Sequence, residues 1–206
     1  MSLGTETRPE TETARSGGTS GFLFCFKKCS ACTAETDTLT NLMIGKLVDV
    51  LTWSDLIHVE IVPVTRFAEG EIAVGRYSYT AFMNLGFVRY DAAQCCDRPM
   101  FTFLFLPLDE FATRHGIAYL ECLVGTEYNK GGLLAAFCHQ FMHPKRTQAL
   151  QFHRKPVFCS EAGLMLCYLV GVYDGPTMPQ YCTPKDLYTI LREKNAVPIS
   201  SLKQHA

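Results

Sequence analysis

The segment Leu56-Ile57-His58-Val59-Glu60-Ile61-Val62 constrains the fold most, because it is β-branched and apolar except for two side chains two residues apart. Strand side chains alternate between faces, so His58 and Glu60 must share one face while Val59 and Ile61 take the other. A second segment, Val157-Phe158-Cys159-Ser160-Glu161-Ala162-Gly163, follows Pro156 about a hundred residues later. There a short apolar strand gives way to a helix, and Cys159 stands at the junction. A thiol in that position sits among unpaired backbone N–H groups at the positive end of the helix dipole, which favours the thiolate.

With 206 residues, 48% of them hydrophobic and 19% charged, the chain fits one globular domain with a substantial core. Residues 1–19 are polar and rich in Thr, Glu, Ser and Gly, which predicts a flexible tail ahead of a single domain over 20–198 and a short C-terminal tail over 199–206. A net charge of −1 gives no electrostatic reason to expect nucleic acid as a partner. Ten cysteines behind a polar N-terminus without signal-peptide order predict reduced thiols and a cytoplasmic setting. The longest nearly apolar run, residues 162–173, is too short for a transmembrane segment and reads as a central buried helix.

The periodicities predict α+β, an antiparallel sheet packed against helices. Strands are expected over 21–26, 57–64, 71–79, 84–90 and 100–106, the last ended by Pro107, with a turn-rich connection over 65–70. Helices are expected over 38–51, 109–123, 133–142 and from Cys159. A last helix begins after Thr183, with Pro184 at its first position. The stretch 145–155 is basic and reads as an exposed loop.

A cysteine hydrolase or acyltransferase needs a nucleophile, a base and a polar group that fixes the imidazole tautomer. Cys159, His58 and Glu60 are the catalytic candidates in that order, and Glu71 and Tyr77 on the following strand are alternatives for the third. Such a site needs no cofactor or metal. Cys25, Cys29 and Cys32, with the Cys95-Cys96 pair, are candidates for a separate structural zinc site. His139 and His143 share a helical face, but Gln140 stands where a metalloprotease motif requires glutamate.

Four short motifs recur here in an order that resembles a known family. They are His58-Val59-Glu60-Ile61, Gly125-x-x-Tyr128-Asn129, Phe158-Cys159-Ser160-Glu161 and Thr183-Pro184-x-Asp186-Leu187. The order resembles that of the circularly permuted papain-like cysteine hydrolases of the NlpC-type superfamily: YiiX-like proteins, lecithin:retinol acyltransferase-like enzymes and relatives in poxviruses and other large DNA viruses. The resemblance covers about residues 20–195. It implies a permuted papain-like fold, Cys159 as nucleophile, His58 as base and Glu60 as orienting residue, and a peptide, isopeptide or lipid acyl substrate. The open third residue and the extra cysteines motivate an alternative, an interaction or virion-assembly protein that keeps the fold without catalysis. The extra cysteines over 25–32 and 95–96 are not part of the family pattern.

Overall fold

The computed structural model describes residues 19–30, 46, 54–68, 71–96, 100–134, 136 and 156–199. Its described part is a mixed fold in which an antiparallel sheet carries helices. The strands are β1 (Thr19–Lys28), β2 (Leu56–Ala68), β3 (Glu71–Val74), β4 (Tyr77–Phe82), β5 (Gly86–Asp91), β6 (Phe101–Leu108) and β7 (Val197–Ile199). They run in the order β5-β4-β2-β1-β6-β7, with β3 paired to the far end of β2. The longest described helices are α1 (Glu110–Leu123), α2 (Cys159–Leu169) and α3 (Pro184–Glu193). No described helix is long and apolar enough to cross a membrane.

The register fixes which face each side chain takes. Phe24 and Phe26 of β1 lie opposite Ile61 and Val59 of β2, and these four join residues of α1, α2 and α3 in one buried cluster. On the other face Leu23 lies opposite Val62, Cys25 opposite Glu60 and Lys27 opposite His58, and a second cluster forms around Leu23, Cys25, Val62, Phe103 and Phe105. Both faces of the central strands are therefore buried, which is why β1 reads as an almost unbroken apolar run instead of an alternating one.

Helix α2 is apolar nearly all round, contains no proline or β-branched residue, and has every residue from Cys159 to Cys167 buried. Gly163 lets it settle: a Cβ there would lie 2.6 Å from a Leu187 methyl of α3 and 3.8 Å from Ile61. Each large aliphatic side chain so buried contributes about 1.5–3 kcal/mol. Helix α3 starts as expected, with Thr183 accepting from the Asp186 amide at 3.2 Å and Asp186 accepting from the Thr183 amide at 3.0 Å.

Several boundaries differ from the sequence expectation. The connection expected from Thr65 belongs to β2 as far as Ala68, because Phe67 packs on Phe105 at 4.7 Å and Thr65 bonds the Ala73 carbonyl. The strand expected over 71–79 is two strands, broken where the Gly75 amide turns onto the Pro63 carbonyl at 2.6 Å. Pro107 does not end β6; β7 pairs with residues 103–105, so the strand beyond is a sheet edge on that side, where proline is tolerated. The helix expected from Leu133 begins at Lys130, because Asn129 caps it by accepting from the Gly132 amide at 2.8 Å. The apolar run over 162–173 leaves helix at Leu169. The expected helix over 38–51 lies outside the described residues apart from the helical Lys46, as do His139, His143 and the basic stretch 145–155.

Candidate active site

Cys159 opens α2, and residues of three sequence motifs, Val59, Tyr128 and Ser160 among them, surround its thiol. The thiol lies against the backbone of Val59 and the amides of Cys159 and Ser160, which favour its ionised form. Ser160 Oγ donates to the Cys182 carbonyl at 2.7 Å, docking the segment before α3 on the first turn of α2. Glu161 is fully buried; its carboxylate accepts from the Phe158 amide at 3.4 Å and from Asn129 Nδ2 at 3.0 Å. Backbone bonds between Val157 and residues 127 and 129 lay the Gly125–Asn129 loop beside the entry to α2.

Strand β2 carries His58 and Glu60 on one face, as the period of two requires, and that face is opposite to the one covered by α2. The imidazole and the thiol therefore approach β2 from its two sides. The ladder between β2 and β4 has a single paired position, Ile61 opposite Tyr79. Beyond it toward the start of β2, the Val59 carbonyl accepts the Thr80 hydroxyl at 2.7 Å instead of a backbone amide, and the Val59 backbone meets the thiol.

Thr80 also sets the imidazole. Its hydroxyl proton is committed to Val59, so the 3.0 Å contact between Thr80 Oγ1 and His58 Nε2 is made by an Nε2–H donor. That places the basic lone pair on Nδ1. The ring is held on its flat side by Phe82, with centroids 5.3 Å apart and 22° between planes.

Glu60 is buried, and its Oε2 accepts from Ser78 Oγ at 3.3 Å and from the Tyr90 hydroxyl. The group at Nε2 is thus Thr80, a residue that sequence reasoning missed. The alternation Ser78-Tyr79-Thr80 was the available signal, since it puts two hydroxyls on the face that carries His58 and Glu60. Of the alternatives, Glu71 is paired with Ala68, ten residues along β2 from His58. Tyr77 lies on the helix face, beneath the Arg89 guanidinium at 4.7 Å. Neither is placed to orient His58.

Burial pushes the Cys159 thiol up to about 11, against the opposing pull of the backbone groups, and the Glu60 charge adds to the rise. The resting thiol is therefore neutral near pH 7 and needs a base. Burial likewise raises Cys167 to about 12 and lifts Cys182 well above the usual thiol range. A thiol whose folded pKa exceeds its unfolded one stabilises the protein fully below the unfolded value, and that contribution is lost as the pH rises toward the folded value. Urea unfolding at stepped pH is expected to give a plateau to about pH 8.5 and a fall above it, on the order of 2–3 kcal/mol from Cys159 alone by pH 11.

Cys122, Cys159, Cys167 and Cys182 are free thiols. Among the described residues no group of three or more His, Cys, Asp or Glu is placed to hold a metal ion, and Cys32 and the side chains of Cys95 and Cys96 lie outside them. No protein-family model and no curated protein matches this chain.

Proposed function

We propose that this chain is a cysteine hydrolase or acyltransferase acting on an amide or ester carbonyl of a peptide, isopeptide or lipid, with the permuted papain-like architecture its motifs resemble. The observation that carries this reading is the convergence of three separated motifs on the first turn of α2, around a thiol flanked by backbone amides, with the fourth packed on α2 at Gly163. Cys159 is the nucleophile, His58, on the other face of β2, is the candidate base through Nδ1, and Thr80 replaces Glu60 as the group that holds the imidazole. The thiolate attacks the carbonyl carbon, and the amides at the start of α2 receive the oxyanion. His58 returns the proton to the leaving group, and water or a second acceptor releases the thioester. Glu60 serves the scaffold, as the acceptor that ties β2 to Ser78 and Tyr90.

A second reading, a binding protein that keeps the fold, draws on the burial of the thiol and its high pKa. Alkylation of Cys159 across pH, resolved from the other cysteines by mass spectrometry, separates the two. For the enzyme, Cys159 reacts near neutral pH and His58→Ala removes that reactivity. Thr80→Val is expected to lower it about 100-fold through loss of imidazole orientation, and Thr80→Ser to restore most of it. Indifference of Cys159 to His58→Ala would leave the binding reading.

A further inference from the structure

Asn129 and Glu161 form a buried clamp that couples two helix starts, and nothing in the proposed chemistry uses it directly. The Asn129 side chain is spent at both ends. Its Oδ1 accepts from the Gly132 amide at 2.8 Å, capping the helical segment that begins at Lys130, and its Nδ2 donates to Glu161 Oε2 at 3.0 Å. The same Glu161 oxygen reaches back to the Phe158 amide at 3.4 Å, the residue before Cys159. The Asn129 amide donates to the Val157 carbonyl at 3.2 Å, so main chain and side chain both bind this loop to the entry of α2.

The fit leaves Asn129 little freedom. A Cβ on Gly132 would lie 2.2 Å from Asn129 Nδ2, so this glycine is what lets the amide group sit flat against the backbone. A buried carboxylate is costly unless it is hydrogen-bonded, and Asn129 supplies a side-chain donor to Glu161. Between the clamp and the thiol stands Tyr128. It is bridged to Val157, and burial above all, with Cys159 and Glu161 close by, raises the pKa of its hydroxyl.

We propose that Asn129 and Glu161 are positioning residues for Cys159: they lock the Gly125–Asn129 loop to the start of α2, and so set the backbone amides and the Tyr128 side chain that surround the thiol. This role deepens the thiol-enzyme reading, since it concerns the same nucleophile, but it makes a prediction that does not depend on His58. The acidity of the thiol is set by the groups around it whether or not an imidazole takes the proton.

The test uses the full chain and iodoacetamide, read cysteine by cysteine across pH. The pH midpoint of Cys159 alkylation reports thiol acidity, and the high-pH plateau reports access. Asn129→Ala is expected to move the midpoint upward by about one pH unit, the scale of a lost helix-terminus interaction. Asp109→Ala serves as the structural control. It removes the cap of α1, in which Asp109 accepts from the Ala112 amide at 2.7 Å, and should cost comparable stability without moving the Cys159 midpoint. The double variant Asn129→Ala/Glu161→Gln should match Glu161→Gln alone, because the two residues act as one unit. A Cys159 midpoint unchanged in Asn129→Ala, shifted equally in Asp109→Ala, or additive in the double variant would overturn the proposal. His58→Ala run in the same series tests the enzyme reading separately. If it changes nothing, that reading fails while the midpoints still decide the clamp.

Discussion

Cys159→Ala should abolish covalent capture of an acyl-type electrophile, and His58→Ala should slow it by about 10²–10⁴-fold, the usual worth of a positioned general base. The asymmetry follows from the resting thiol. With burial holding Cys159 near 11, few molecules carry a thiolate at neutral pH, so reaction depends on removal of the proton as attack begins. Neither substitution needs to disturb the fold. Cys159 is replaced by a smaller residue at one edge of a cluster, and His58 is half-buried at the end of a strand whose pairing with β1 is made by backbone. Capture followed by intact-mass measurement, with urea unfolding as the check on folding, is the measurement. Equal capture by wild type and both variants would end the assignment of these two residues.

Gly86→Ala is expected to be strongly damaging, costing about 3 kcal/mol or more in urea unfolding. Gly86 opens β5 with a φ of 75°, a conformation that residues with a Cβ rarely adopt, and its added Cβ would stand 2.2 Å from the Thr126 carbonyl oxygen. That oxygen cannot move aside cheaply. It accepts from the Phe87 amide at 2.8 Å, while the Gly125 amide donates to the Phe87 carbonyl at 2.8 Å. The substitution therefore separates β5 from the loop that runs on to Tyr128 and Asn129. Loss of Cys159 reactivity alongside stability would show that this loop transmits the damage to the thiol. A stability change under about 0.5 kcal/mol would mean that the close approach at Gly86 is not maintained in solution.

Much of the fold was legible because local physics and tertiary placement agree. The β-branched stretch around Val59 and Ile61 is a strand, Thr183-Pro184 opens a helix with the hydrogen bonds its residue types predict, and Cys159 stands at a helix start. The failures fall where pairing decides instead of propensity. Pro107 stays in a strand because its neighbour β7 is short, Thr65–Ala68 stay in β2 because β3 pairs with them, and Gly75 divides a run that looks continuous.

The same division holds for the site. The sequence alone determined that His58 and Glu60 share a face and that Cys159 begins a helix, because strand and helix periods are properties of the local backbone. Which neighbour reaches the imidazole was decided by strand register. β4 is paired with β2 at Ile61 and Tyr79, and that register brings the Thr80 hydroxyl to Nε2 while Ser78 and Tyr90 take Glu60. Tertiary packing also decided that thiol and imidazole lie on opposite faces of β2. A one-residue shift of β4 would exchange every one of these partners, and no local preference of the residues encodes it.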